Sequence, residues 1–362
     1  MDGGITKKAP VTSSQVAEHA GVSQSAVSRT FTPGASISPK TRAKVLAAAK
    51  ELGYRPNAIA RSLITNRSRI IAVVMAYLEN LFYPDVLEEL GRRLSAENYH
   101  MLLFTGFKDR DSDPVFDQLM QYRVDGIILA STSLSSELAA ECAVAGIPVV
   151  LFNRTTERDE TSSVTTRNHE GGRLLGEFLI AGGHKSFGYV AGLENSSTNR
   201  DRFGGFREAL AAHGITEIEI RTGNYSRSEA EAAARELLAL PHRPEAIFVA
   251  NDHMAVAVMD VARHEFGLRI PEDLSIVGYD DVGPARWPSY GITSVTQPIE
   301  PMVEATVDIL MDQIHSGEIE PQHKVLPGEL IVRSSARLPK AGIFEVDGQR
   351  LYRPGATKRV PL

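Results

Sequence analysis

The pattern of apolar positions changes character near residue 69. Before it, apolar residues recur at helical spacing in short stretches; after it, compact apolar runs alternate with longer amphipathic stretches. In the first part, Gln15-Val-Ala-Glu-His-Ala-Gly-Val-Ser-Gln-Ser-Ala-Val-Ser-Arg29 holds two short helical patterns broken at Gly21, which predicts a helix-turn-helix. Ala17 and Gly21 stand four apart and read as the small residues that let two steeply crossing helices approach, with Val27 as the apolar plug from the second. Thr12 with Gln15 forms a capping-box pattern, Ser23 is placed to cap the second helix, and Ser38-Pro39 opens a third that runs up to Gly53. A plain αα-hairpin carries the same local pattern, and on these residues alone that reading stays open.

In the second part the apolar runs are Ile70–Met75, His100–Phe104, Gly126–Ala130, Ile147–Phe152, Phe187–Ala191, Ala246–Ala250 and Leu274–Tyr279. Amphipathic stretches such as Asp85–Asn98, Asp113–Arg123, Glu137–Ala145, Glu170–Ala181 and Asn199–His213 lie between most of them. Continuous apolar runs separated by helices predict parallel strands buried on both faces. So many repeats exceed one domain of ordinary size. The fold expected is an α/β body of two doubly wound parallel-sheet subdomains with an all-α helix-turn-helix headpiece. The subdomains divide near residue 160 and are joined by crossover strands near Ser163–Thr165 and Ile292–Thr296.

Charge sharpens the division. Residues 1–70 carry eleven lysines and arginines against three acids, a charge of +8; the whole chain is −6, which leaves −14 for the remainder. A basic head on an acidic body binds phosphate through one end, with an affinity that falls as salt rises. The composition, 43% hydrophobic and 23% charged over 362 residues, is that of an ordinary globular protein. The N-terminus shows no signal-type apolar stretch, and the run Ile70–Leu78 is far shorter than the roughly 20 residues that span a bilayer. The single cysteine, Cys142, permits no intrachain disulfide and no multi-cysteine metal site. A cytoplasmic protein with no cofactor and no membrane partner is expected. Three hydrolytic or phosphate-binding patterns, His-Glu-x-x-His, Gly-x-Ser-x-Gly and Gly-x-x-x-x-Gly-Lys, do not occur, and His169-Glu170 and His264-Glu265 lack a second histidine. An enzyme is therefore not expected.

Val22-Ser-x-x-x-Val-Ser-Arg29, together with Leu52-Gly-Tyr-Arg-Pro-Asn-Ala-Ile-Ala-Arg-Ser-Leu63, resembles the headpiece of the lactose-repressor family of bacterial transcription regulators. The resemblance continues through Ala181-Gly-Gly-His-Lys185, Arg202-Phe-Gly-Gly-Phe206 and Val277-Gly-Tyr-Asp-Asp281. It implies a headpiece over 1–55, a hinge helix and linker over 56–68, a two-subdomain effector and dimerisation body over 69–340 resembling periplasmic sugar-binding proteins, and a tail over 341–362. The second helix then offers Ser23, Gln24, Ser25, Ser28 and Arg29 to the major groove, where Ser and Gln bond base edges and Arg suits a guanine or a phosphate. The hinge adds Asn57, Ala60, Arg61 and Leu63, the leucine wedging into the minor groove. A helix of about eight residues is marginal alone, since isolated helices need roughly 12 to 15 residues. Two such helices paired in an opened groove would support each other.

Ligands of open α/β sheets bind beyond the carboxyl ends of the strands. That rule selects Asn80, Phe82 and Tyr83 after the first run, Asn153 with Arg154 after the fourth, then Thr198, Arg202, Tyr225, Asn251, Asp280 and Gln297 in the second half. The family's effector contacts match most of these positions. Stacking on Phe82 or Tyr225, with Asp280 and Arg202 taking paired hydroxyls, suits a carbohydrate-type effector. Asp252 reads as a helix cap, and of the adjacent Asp280 and Asp281 only one is expected to face the cleft. Where many members carry Asp-Asn, this chain has Arg167-Asn168. With Arg154 and Arg202 near, Arg167 suggests a positive cleft and an acidic effector such as a sugar acid or sugar phosphate; an Arg167 facing solvent or a dimer partner is the alternative.

The expected mechanism is a homodimer reading a near-palindromic operator, with effector binding shifting the subdomains and the hinge. The helices at Asp85–Asn98 and Asp252–Glu265 are the dimer surfaces the resemblance implies. The tail has no leucine heptads, so a dimer with a loosely ordered extension is expected. Two other classes compete. A solute-binding transport protein would share the body but needs an export signal and no basic headpiece; a sugar-processing enzyme needs a catalytic carboxylate pair or metal cluster.

Overall fold

The structure is a computed structural model that describes residues 11–32, 34–55, 67–75, 78–105, 119–130, 141–156 and 160–356. The chain divides into two compact units, Met1–Ser68 and Arg69–Leu362.

In the first unit, α1 is Ser13–Ala20, α2 Gln24–Phe31 and α3 Pro39–Leu52. Each begins where a side-chain oxygen meets an orphan backbone N–H. Thr12 and Gln15 close a reciprocal capping box, Ser23 accepts from Ala26 N, and Ser38 accepts from Thr41 N ahead of Pro39. Val16 and Ala17 of α1, Val27 of α2, and Val45, Ala48 and Ala49 of α3 make a small shared core, edged by Phe31 and Tyr54. Gly21 does not do what its spacing suggested. Nothing lies within 4 Å of where its Cβ would be, and its φ is +64°; its left-handed backbone ends α1 and turns the chain into α2. Ala17 is buried in the shared core.

The second unit holds two sheets. The first has the order β11-β5-β4-β3-β1-β2, from Ile70–Met75 (β1), His100–Thr105 (β2), Gly126–Ala130 (β3), Val149–Phe152 (β4), Ser162–Thr166 (β5) and His323–Leu326 (β11), all pairs parallel. The helices α4 (Phe82–Ala96) and α9 (Ile299–Ser316) cover one face. Strand β1 shows why an unbroken apolar run was needed. Ile71, Val73 and Met75 pack with Leu90 and Leu310, while Ala72 and Val74 pack with Leu119 and Cys142 on the other face. Burial pushes the Cys142 thiol up to about 11, away from the reactive thiolate.

The second sheet has the order β13-β14-β12-β10-β9-β8-β6-β7. Its parallel part is Phe187–Ala191 (β6), Ile218–Thr222 (β7), Ala246–Val249 (β8), Ser275–Asp280 (β9) and Thr293–Thr296 (β10). It is flanked by α5 (Asn168–Ala181), α6 (Ser197–Ala211), α7 (Arg227–Leu238) and α8 (Asp252–His264). The chain crosses between subdomains after β5, after β10 and again between β11 and β12 (Leu330–Ile331).

The tail is a correction to the loosely ordered extension expected. Ile343–Val346 (β13) and Gln349–Tyr352 (β14) form an antiparallel hairpin, and β14 pairs with β12 through Leu330↔Tyr352 and Ile331↔Leu351. Asp347 and Gly348 supply the two-residue loop, with φ +49° and +76°, the backbone that an Asp-Gly hairpin turn requires. Tyr352 is buried edge-on to Phe178 of α5, ring centres 5.2 Å apart.

Candidate functional site

On α2, Val27 and Thr30 are buried, which leaves Ser23, Gln24, Ser25, Ser28 and Arg29 on the exposed side. Three of these are engaged within the headpiece. Ser23 Oγ caps the helix and lies 3.0 Å from Ser25 Oγ, and Gln24 Nε2 donates to Ser13 Oγ at 2.9 Å. Ser28 and Arg29 make no side-chain hydrogen bond to any described residue. The other DNA positions, Asn57, Ala60, Arg61 and Leu63, lie outside the described residues.

Parallel register brings the second site together. Because β10 pairs with β9 through Thr296↔Asp280, the next residue, Gln297, stands beside Asp280, and its Nε2 donates to Asp280 Oδ1 at 2.7 Å. Arg202, fully buried on α6, reaches the same oxygen with Nη2 at 3.0 Å. Its Nη1 donates to the Ala250 carbonyl at the end of β8 (2.6 Å), its Nε to Asn168 Oδ1 at the start of α5 (2.8 Å), and its guanidinium lies 3.7 Å from the centre of the Tyr279 ring. Asn80, buried in the segment between β1 and α4 of the other subdomain, adds to the groups that favour the charged Asp280 carboxylate. Burial pushes the Asp280 carboxyl up, against the opposing pull of Arg202, Gln297 and Asn80.

A second cluster joins the subdomains nearby. Arg154 Nη1 donates to Thr198 Oγ1 at 2.8 Å, Thr198 Oγ1 lies 3.1 Å from the Tyr225 hydroxyl, and Thr155 N donates to Ser197 Oγ at 3.0 Å. Several buried polar atoms among the described residues have no hydrogen-bond partner, and Asn153 and Asn251 carry two of them. These are Asn153 Oδ1 and Asn251 Nδ2, although Asn251 Oδ1 is fixed by capping α8 through Met254 N at 3.1 Å. Native interiors leave few such atoms, and these two belong to residues selected from strand ends. Backbone strain collects at the same place: Asn153, Tyr225, Asp280 and Asp281 have φ of +58°, +57°, +104° and +53°, a conformation non-glycine residues adopt at a cost of order 1–3 kcal/mol.

Several expectations change. Arg167 is half exposed and pairs with Glu170 at 3.3 Å, outside the cluster that Thr166 and Asn168 enter on either side of it. Phe82 and Tyr83 open α4; the ring of Phe82 is stacked on Phe152 within the first-subdomain core, so that of Phe82 and Tyr225 it is Tyr225 that lies among the polar groups. Asp252 is not the cap of α8. Its buried carboxylate accepts from Ser294 Oγ at 2.9 Å and Val282 N at 3.2 Å. Asp281 turns away from Arg202 to pair with Arg333 and Arg286, at 2.7 and 3.1 Å. Asn168 was missed, though an Asn opening a helix after a crossover strand was the available signal.

A basic helix-turn-helix unit and a two-subdomain α/β body with a buried polar cluster at its strand ends define a DNA-binding regulator with an effector domain. Comparison with known proteins agrees. Residues 14–57 match the bacterial regulatory proteins of the lacI family, and residues 177–336 match the periplasmic binding protein-like domain. The chain is 33% identical over 325 residues to the HTH-type transcriptional repressor PurR of Yersinia enterocolitica, covering 88% of this chain and 95% of that one. Among solved structures it is similar to the lac repressor dimer bound to operator and the anti-inducer ONPF (TM-score 0.80, 29% identity, 90% of this chain and 99% of that). A complex of the regulator CelR with cellobiose also matches (TM-score 0.68, 32% identity, 90% and 100%). This chain belongs to the lacI family; it is a DNA-binding transcriptional repressor with an effector-binding domain and is not an enzyme.

Proposed function

We propose that this repressor is a homodimer that reads the half-sites of a near-palindromic operator and is controlled by a small carbohydrate-type effector bound between its two body subdomains. The observation that carries the effector class is two unpartnered atoms: a buried acceptor on Asn153, next to Arg154, and a buried donor on Asn251, next to the Ala250 carbonyl that Arg202 bonds. Hydroxyl groups both donate and accept, so a polyhydroxylated ligand satisfies both atoms. The effector contacts on this reading are Asn80, Asn153, Thr198, Arg202, Tyr225, Asn251, Asp280 and Gln297. The similarity to a cellobiose-bound regulator supports the class. The effector acts by binding one arrangement of the subdomains more tightly than the other, and so shifts operator affinity.

A second reading adds an acidic group. It no longer rests on Arg167 but on Arg154, whose guanidinium is held at the N-terminus of α6 through Thr198; a helix N-terminus and an arginine together favour an anion. Thermal-shift measurements with neutral sugars, sugar acids, sugar phosphates and purines test both. Stabilisation by neutral sugars that survives Arg154→Ala supports the first reading, and an acid-selective shift lost in that variant supports the second. Stabilisation by purines alone removes the carbohydrate class.

Dimerisation through α4 and α8 follows from the resemblance. The apolar Leu81 just before α4, and Trp287, more than half exposed in the turn packed by α8, supply apolar area there. On the operator, the α2 face enters the major groove and Asn57, Ala60, Arg61 and Leu63 the minor groove. Light scattering of wild type and Trp287→Asp tests the assembly: a dimer that weakens in the variant supports it, and a wild-type monomer contradicts it.

A further inference from the structure

Arg202 bonds acceptors on three separate elements, so its position on α6 must be held to within the tolerance of a hydrogen bond. What sets that position is the closeness of α6 to α5. A methyl group on Gly172 of α5 would overlap the backbone carbonyl oxygen of Arg202 itself, and one on Gly205 of α6 would overlap the carbonyl oxygen of His169. The two helices therefore meet backbone to backbone through a reciprocal pair of glycines. A third glycine acts on the other side of the guanidinium. A methyl group on Gly171 would press into the hydroxyl of Tyr279 and stand 2.8 Å from its Cε2, and it is the face of this ring on which Arg202 lies. None of the three has a positive φ, so turn geometry does not account for them; close approach does.

We propose that Gly171, Gly172 and Gly205 are positioning residues for Arg202. Gly172 and Gly205 fix the height of its backbone above α5, Gly171 fixes the ring beneath its guanidinium, and together they place the guanidinium on Asp280, Ala250 and Asn168. Asn168 ties the same arrangement to the crossover: its Nδ2 donates to Thr165 Oγ1 and to the Thr166 carbonyl, both at 3.1 Å, while its Oδ1 holds Arg202. The functional weight of the assignment rests on the reading of Arg202 as an effector contact.

The test needs no effector. An Arg Nε–H hydrogen-bonded in a buried site and stacked over an aromatic ring gives an exchange-protected NMR signal whose shift depends on both the bond and the ring, assigned to Arg202 by its loss in Arg202→Lys. The ligand-free full-length protein is expected to show that signal, and to keep it in Gly204→Ala, whose methyl would meet only the His169 ring at an ordinary 3.4 Å. Gly171→Ala, which presses on a side chain rather than on backbone, is the decisive variant; Gly172→Ala and Gly205→Ala are the more severe ones. Loss or displacement of the signal in Gly171→Ala, with the far-ultraviolet circular dichroism of the folded protein retained, supports the assignment. An unmoved signal in a Gly171→Ala protein that merely melts earlier overturns it, because the glycines then only pack two helices; so does a wild type lacking the signal. Whether Arg202 meets the effector is decided separately, by the response of Arg202→Lys to the sugar panel, so failure there leaves the positional result intact.

Discussion

Arg202 Nη2 donates to Asp280 Oδ1 over 3.0 Å with both side chains almost fully enclosed. A buried pair of this kind contributes little compared with an apolar pair of the same shape, but leaving one partner alone is costly, about 3–5 kcal/mol. Asp280→Ala is therefore expected to lower the stability of the body in urea by about that amount, and Asp280→Asn, which keeps an acceptor, by less. Equal small losses in both variants would contradict the geometry.

Asp252 gives a pH dependence of definite sign. Burial, and then the neighbouring Asp280 and Asp281, push its carboxyl well above the ordinary aspartate value. Its protonated form thus favours the folded body. That contribution is full below the unfolded value of roughly 3.9 and is lost as pH rises towards and through the raised folded value. Asp252→Asn keeps an acceptor for Val282 N and removes the ionisation. The stability difference between variant and wild type should move in the variant's favour from pH 5 to pH 8; a difference independent of pH would contradict it.

The C-terminal hairpin is expected to be structural. Tyr352→Ala removes a buried ring from the edge of Phe178, and large aromatic deletions of this kind cost roughly 3–5 kcal/mol. Chemical denaturation of the variant measures this; a tail that merely trailed from the domain would show no loss.

Arg29 is exposed on α2. If it meets a phosphate, Arg29→Ala should weaken all duplexes alike and reduce the slope of log affinity against log salt by about 0.9. If it meets a guanine, discrimination at one base should fall by about 1–3 kcal/mol. Fluorescence anisotropy with matched and mismatched duplexes at several salt concentrations separates the two. A variant unchanged in both would remove Arg29 from the interface.

Much of this architecture is legible because buried parallel strands must be apolar on both faces, as Ile70–Met75 is, and because caps such as Thr12, Ser23 and Ser38 have local chemistry. What escaped is instructive. Ile218–Thr222 is a half-exposed strand of five residues at the sheet edge, too short and too polar to stand out. The Asp347-Gly348 turn and its flanking Ile343, Phe344, Val346, Leu351 and Tyr352 were readable, but each flank is only four residues long. Arg167 was misplaced because it lies between Thr166 and Asn168, and adjacent residues entering a helix point in different directions. Phe82 showed that position beyond a strand does not decide whether a ring faces a cleft or a core. The glycines of α5 and α6 carry no signal of helix contact in sequence; only the facing backbone gives them meaning.

The site itself is tested most directly at Asn251. Asn251→Asp retains the oxygen that caps α8 and replaces the unpartnered Nδ2 donor with an acceptor. Thermal shifts of wild type and Asn251→Asp against the sugar panel should show a stabilising sugar for the first and at least a tenfold weaker response for the second, a difference of about 1.4 kcal/mol, with operator binding retained in both. A sugar that stabilises both equally would contradict an effector site built on that atom.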